Sequence, residues 1–146
     1  LTTFKNAAHR LEFVATVDGV DYVDDSKATN VDAAWYALEC QKKPVVWIAG
    51  GTDKGNDYSV LNELVHQKVK TLVCLGLDNK KLIDNFTGII PVIVEAKSME
   101  ECIEKCHQAA VEGDVVLLSP CCASFDLFNS YAHRGNLFRE YIEKLK

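Results

Sequence analysis

The sequence predicts one α/β domain, a mostly parallel sheet with helices on both faces, entered through an N-terminal β-hairpin. Three observations carry that expectation. Short extended runs alternate along the chain with stretches of helical period. Runs such as Val45-Val46-Trp47-Ile48 are apolar throughout, as strands covered on both faces are. The first two extended runs are separated only by Asp18-Gly19, a two-residue hairpin turn.

The elements follow in order. Leu11, Phe13, Ala15 and Val17 alternate with Glu12, Val14 and Thr16 in the first strand, and a second runs over 20–23. Apolar residues Val31, Ala33, Ala34, Trp35, Ala37 and Leu38 predict a helix over 31–40. A strand over 45–49, a helix near 58–67 and a strand over 71–75 come next, then a short helix near 80–85 and an extended run over 91–94. The chain closes with a helix over 99–111, a strand over 115–118 and a final helix to about residue 145. No linker interrupts the series, so a three-layer, Rossmann-like arrangement is expected.

In such a sheet, ligands bind beyond the carboxyl ends of the strands. Three strands end there in polar loops. The first, Asp24-Asp25-Ser26-Lys27-Ala28-Thr29-Asn30, joins a strand to a helix. Thr29 or Asn30 can cap that helix, whose free N–H groups favour an anion. Lys27 adds a positive charge, Asp25 an acceptor for ribose hydroxyls or a metal-bound water, and Thr29 a hydroxyl. The same residues can equally form a capped helix behind a solvated acidic turn.

Gly50-Gly51-Thr52-Asp53-Lys54-Gly55 allows close backbone approach to a ligand, with Lys54 as a cationic anchor and Asp53 as its orienting partner. It does not have the spacing of a P-loop. The third loop, Ser119-Pro120-Cys121-Cys122-Ala123-Ser124, is built of small residues, and Ser124 with the N–H groups after it can receive a carboxylate. No G-x-S-x-G elbow marks either serine as a nucleophile. Beyond it, Arg134 can clamp a phosphate or pair with an Asp. His9-Arg10 can reach a nucleotide or a surface carboxylate.

The bulk properties exclude several classes. The chain has 146 residues with 16 basic and 21 acidic side chains, a net charge of -5 that disfavours nucleic-acid or membrane-surface binding. No apolar run approaches the roughly 18 residues of a membrane span. A cytoplasmic location is expected, and the start at Leu1 is read as that of a piece of a longer polypeptide. The six cysteines lack zinc spacing; Cys40 and Cys74 sit among apolar residues, and all six are expected to be reduced and structural. His66, His107 and His133 have no metal-ligand spacing, so no metal site is assigned.

Taken together, His9-Arg10-Leu11-Glu12, residues 24–30, residues 50–55, Leu118-Ser119-Pro120, Ala123-Ser124-Phe125-Asp126 and Arg134-Gly135-Asn136 with Phe138 resemble the carboxyl-terminal domain of the Mur ligases, in their D-glutamate-adding branch. The resemblance runs from His9 to the end of the chain. It implies a fragment, residues 1–146, of a three-domain, monomeric, ATP-dependent amide ligase of peptidoglycan synthesis, which joins D-glutamate to UDP-N-acetylmuramoyl-L-alanine through an acyl phosphate.

By resemblance, Thr29, Lys54 and Ser124 hold the D-glutamate carboxylates, and Phe125 and Tyr131 line the pocket. Arg10 and Asp25 contact the nucleotide, and Lys27 supports the reacting groups. Tyr131 stands where familiar members carry Phe. ATP and Mg2+ are implied as cofactors held mainly by the preceding domains, so the isolated chain is expected to fold without catalysing. Two alternatives stand beside this: another Mur or folylpolyglutamate-type ligase, and a stand-alone Rossmann-type anion or nucleotide module. The latter would normally show G-x-G-x-x-G, which this chain lacks. A redox domain would need a reactive thiol at Cys121 or Cys122.

Overall fold

Asp18 and Gly19 both adopt positive φ, 53° and 78°, and Val17 faces Val20 across them. That is the left-handed pair a two-residue hairpin turn requires. The computed structural model describes residues 9–53, 55–124 and 126–146. The hairpin strands are β1 (Glu12–Val17) and β2 (Val20–Asp24), followed by α1 (Val31–Glu39), β3 (Val45–Ala49), a 3-10 turn (Tyr58–Leu61) and α2 (Asn62–Lys68). Then come β4 (Val69–Leu75), α3 (Lys80–Phe86), β5 (Val92–Ala96), α4 (Met99–Ala109), β6 (Val115–Leu118) and α5 (Tyr131–Glu143).

The expected alternation in β1 fails at Phe13. The register slips between Phe13 and Ala15, which leaves Val14 as an extra residue and Phe13 61% exposed, while Ala15 and Val17 are buried. A bulge of this kind turns the preceding residues to the other face. The helix expected over 58–67 divides into the 3-10 turn and α2, with Asp57 accepting from Ser59 N at the start of the turn. The helix over 99–111 ends at Ala109, and the extended run of 91–94 lies instead at Val92–Ala96.

The six strands lie in the order β1-β2-β6-β3-β4-β5, all parallel except β1. Successive residues of β3 point to opposite faces. Val45, Trp47 and Ala49 pack with Ala34, Leu38, Val65 and Phe86 of α1, α2 and α3, whereas Val46 and Ile48 pack with Ile103, Phe138 and Ile142 of α4 and α5. The central strands are therefore apolar at every position, which is why their composition reads as a continuous run. Trp47 is fully buried, meets Phe86 edge-on at 5.4 Å and donates its indole N–H to the Ser119 carbonyl at 2.8 Å. This single side chain ties the core to a site loop.

β3 continues into α2 on one face, while its neighbour β6 continues into α5 on the other. Loops that leave adjacent parallel strands toward opposite faces open a crevice at their carboxyl ends. Among the described residues, no helix is long and apolar enough to cross a membrane.

Candidate functional site

The three polar loops are joined by backbone hydrogen bonds. Asp25 N donates to Leu118 O at 2.8 Å and Cys121 N to Ala28 O at 3.0 Å, which couples the β2–α1 loop to the loop after β6. Gly50 N donates to Pro120 O at 3.0 Å and Thr52 N to Ala123 O at 2.7 Å, which couples the glycine loop to the same segment. Gly50 and Gly51 have φ of 132° and 136°. A β carbon at Gly50 would come within 2.5 Å of the Leu75 carbonyl oxygen, and one at Gly51 would run into that of Ala123. The close approach expected at these glycines is thus made to neighbouring backbone.

Asn30, and not Thr29, caps α1: its side chain accepts from Ala33 N at 2.8 Å. Thr29 is left exposed, with no hydrogen bond among the described residues. Asp25 is nearly buried; its Oδ1 accepts from Leu11 N and its Oδ2 from the Ser119 hydroxyl, both at 3.0 Å. Burial pushes its pKa up to about 6, against the pull of those hydrogen bonds and of Arg10. Each carboxylate oxygen keeps a second lone pair for a ligand. Arg10 is exposed, and with Leu11, Asp25, Lys27, Ala28, Ala33 and Tyr36 it lines a cleft of about 260 Å³.

Lys27 leans on Tyr131, its Nζ 3.3 Å from the phenol oxygen and 5.1 Å from the ring centre. The hydroxyl that distinguishes Tyr131 from phenylalanine therefore has a partner. Ser124 is buried at the turn into α5, and its carbonyl accepts from Phe128 N at 3.0 Å. Lys54 and Phe125 lie outside the described residues. Asp53 Oδ1 accepts from Gly55 N and Asn56 N, and its Oδ2 lies 3.1 Å from Lys81 Nζ; the orienting role expected of it toward Lys54 falls outside the described residues.

Neither reading of Arg134 holds. Its side chain is 1% exposed, so it clamps no phosphate in solvent, and its partners are the Ser26 hydroxyl, the Ser26 carbonyl and the Cys122 carbonyl, not an Asp. Burial lowers its pKa to about 10. Sequence reasoning also missed the network beside it. His9 Nδ1 meets Asp24 Oδ2 at 2.6 Å, and Arg139 bridges Asp24 and Glu12 at 3.0 and 2.7 Å. His9, Glu12 and Asp24 are close enough to hold an ion, but the guanidinium already stands between the two carboxylates. Gly135 makes room for this pair, since a β carbon there would strike the His9 ring.

A fourth carboxyl-end loop, after β4, also belongs to the group: Leu77 N donates to Asp126 Oδ2 at 3.1 Å. The signal for it was Gly76 directly after a strand, with Asp78 and Asn79 following. The thiols divide differently from expectation. Cys40 is exposed, while the other five are buried. Burial pushes Cys74 up to about 12 and raises Cys121 and Cys122, so neither of the vicinal pair has the thiolate character of a redox centre.

Residues 9–122 match the family profile described as Mur ligase, glutamate ligase domain. The chain is 54% identical over 145 residues to UDP-N-acetylmuramoylalanine--D-glutamate ligase of Cytophaga hutchinsonii, covering 99% of this chain and 32% of that one. Identity to the enzyme of the same name from Bacteroides fragilis is 49% over 146 residues, with 99% and 33% covered. The chain thus spans about a third of the length of the curated relatives it matches.

Among solved structures, UDP-N-acetylmuramate-alanine ligase of Thermotoga maritima superimposes with a TM-score of 0.65 at 16% identity, over 99% of this chain and 32% of that one. A murein peptide ligase of Psychrobacter arcticus gives 0.65 at 15%, over 94% and 30%. At such identities the likeness supports the fold alone.

Proposed function

This chain belongs to the Mur ligase family, as its glutamate ligase domain, and from that premise we propose that it receives D-glutamate and part of the nucleotide for an ATP-dependent ligase acting on UDP-N-acetylmuramoyl-L-alanine. The reading includes a monomeric, cytoplasmic parent enzyme of peptidoglycan synthesis, of which this is the carboxyl-terminal domain. Support comes from curated relatives that bear the D-glutamate ligase name over the whole of this chain. The observation that carries the site is the joining of the three loops, through Thr52 N to Ala123 O and Ser119 Oγ to Asp25 Oδ2.

A dicarboxylic amino acid needs two anion-binding positions that leave its amine free to attack. Thr29, Lys54 and Ser124 are proposed to fill them, with Phe125 and Tyr131 as the wall. Lys27, steered by Tyr131, stabilises negative charge on the reacting groups. Arg10 and Asp25 share one cleft and suit a nucleotide, the guanidinium for phosphate and the carboxylate for ribose hydroxyls. When bound, ATP supplies the phosphoryl group that activates the acceptor carboxylate.

Magnesium finds no fit in the one acidic cluster among the described residues, because Arg139 bridges its carboxylates. The ion is assigned to the preceding domains.

The test uses the full-length parent, following ATP-dependent phosphate release with UDP-N-acetylmuramoyl-L-alanine and D-glutamate, L-glutamate or L-lysine. Release with D-glutamate alone supports the assignment, and equal activity with another amino acid overturns it. Charge-assisted hydrogen bonds are worth about 1.5 to 3 kcal/mol, so Lys54→Ala is expected to lower D-glutamate use about tenfold to a hundredfold or more. An unaffected variant removes Lys54 from the site.

A further inference from the structure

The cleft that holds Arg10 and Asp25 has a wall neither residue explains. Ala33 and Tyr36 lie three residues apart on α1 and so face the same way. Both line the cleft, with Leu11 and Ala28 completing an apolar surface. Tyr36 is 59% exposed, unlike Trp47 and Tyr22, which the core buries completely. An exposed aromatic ring that lines the same cleft as a carboxylate and a guanidinium puts the three chemistries of a nucleotide in one place. A flat base meets an aromatic face, ribose hydroxyls meet an acceptor, and phosphate meets a cation.

We propose that Tyr36 is the platform on which the purine base of the nucleotide stacks, its ribose toward Asp25 and its phosphates toward Arg10. The proposal rests on the nucleotide-binding reading given above and adds a contact that reading did not contain. Around Tyr36 the cleft wall is Leu11, Lys27, Ala28 and Ala33; Lys27 alone among them carries a side-chain donor, and its ammonium is engaged by the Tyr131 hydroxyl at 3.3 Å. From this side the base is held by its face. The domain therefore contributes affinity for the base and little discrimination between bases, since every base has a π-face.

The test is made on the full-length parent enzyme with Tyr36→Ala and Tyr36→Phe. The ring is largely in solvent, so neither change disturbs the core. Loss of one stacking contact is expected to raise the KM for ATP in Tyr36→Ala by about five- to a hundredfold, with kcat held within about twofold. The KM for D-glutamate stays unchanged, the ratio of ATP to GTP use stays unchanged, and Tyr36→Phe behaves as wild type. Photolabelling with 8-azido-ATP is expected to mark the α1 peptide containing Tyr36.

An unchanged KM for ATP in Tyr36→Ala, or labelling confined to another domain, overturns the proposal. So does a lowered melting temperature with unchanged KM, which would make the ring a contact between domains. If wild-type parent releases no phosphate with D-glutamate while 8-azido-ATP still labels α1, the substrate reading fails and the platform stands.

Discussion

Arg134 donates twice to Ser26, from Nε to the hydroxyl at 2.9 Å and from Nη2 to the carbonyl at 2.8 Å, and a third time from Nη1 to the Cys122 carbonyl at 3.1 Å. The Ser26 hydroxyl in turn donates a hydrogen bond to the Tyr131 carbonyl at 2.7 Å. One buried cation thereby fixes the β2–α1 loop, the loop after β6 and the first residue of α5 in a single arrangement.

Arg134→Ala leaves two carbonyls and a hydroxyl without their donor in a buried setting. A loss of about 3 kcal/mol or more is expected in urea unfolding of the chain. Arg134→Lys is expected to recover only part of it, because an ammonium cannot present the planar fork. A loss below about 1 kcal/mol for Arg134→Ala would show that the loops hold their positions without it.

Asp25 carries a pH signature. Its folded pKa of about 6 stands above the ordinary 3.8, so the unfolded chain ionises it first as pH rises. Nothing is lost below pH 4, the cost grows between about 4 and 6, and it is complete above 6. Asp25→Asn keeps the acceptor for Leu11 N and removes that cost. The variant is expected to gain on wild type by on the order of 3 kcal/mol between pH 4 and pH 7, read from urea midpoints across that range. A difference that does not vary with pH would refute the raised pKa.

Two glycine variants separate backbone strain from collision. Gly113 has φ of 97° with nothing near its missing β carbon, whereas Gly51 has φ of 136° and faces the Ala123 carbonyl. Gly113→Ala is expected to cost about 1 kcal/mol of strain. Gly51→Ala adds a clash between two site loops and is expected to cost at least about 2 kcal/mol more. Equal thermal shifts would mean that the loops separate freely.

Thiol reactivity follows from burial. Under native conditions a thiol reagent is expected to modify Cys40 first, with Cys121 and Cys122 protected until the chain unfolds. Peptide mapping after short exposure reads this directly. Early labelling of Cys122 would restore the redox reading of the vicinal pair.

What could be read from the sequence was what depends on nearest neighbours and on burial of whole strands. The strands over 45–49 and 115–118 end where expected, since both faces of each are covered and turn residues bound them. The loops after β3 and β6 were legible because each follows such a strand, and the loop after β2 because the apolar period changes across it from extended to helical. Phe13 was misjudged because a bulge is set by pairing with β2, not by the residues of β1 alone. Arg134 was left open because its partner Ser26 lies 108 residues away, and a side chain rich in donors says nothing about which carbonyls will be placed around it. Cys40 follows apolar residues in the chain, yet it stands at the end of α1, where the helix surface turns to solvent.

The position of β6 has a consequence for the order in which the molecule can be made. β6 is the last of these six strands to leave a ribosome, yet it sits between β2 and β3 and supplies the pairing partner of both. Until it arrives, the β1–β2 hairpin has no sheet to join, and an isolated hairpin is marginal in water. Strands β3 to β5 can pair among themselves earlier, but the crevice that gathers Asp25, Ser119 and the glycine loop does not exist in any nascent chain that stops short of residue 118. The site is a property of the completed sheet, closed by the last of its six strands to be translated.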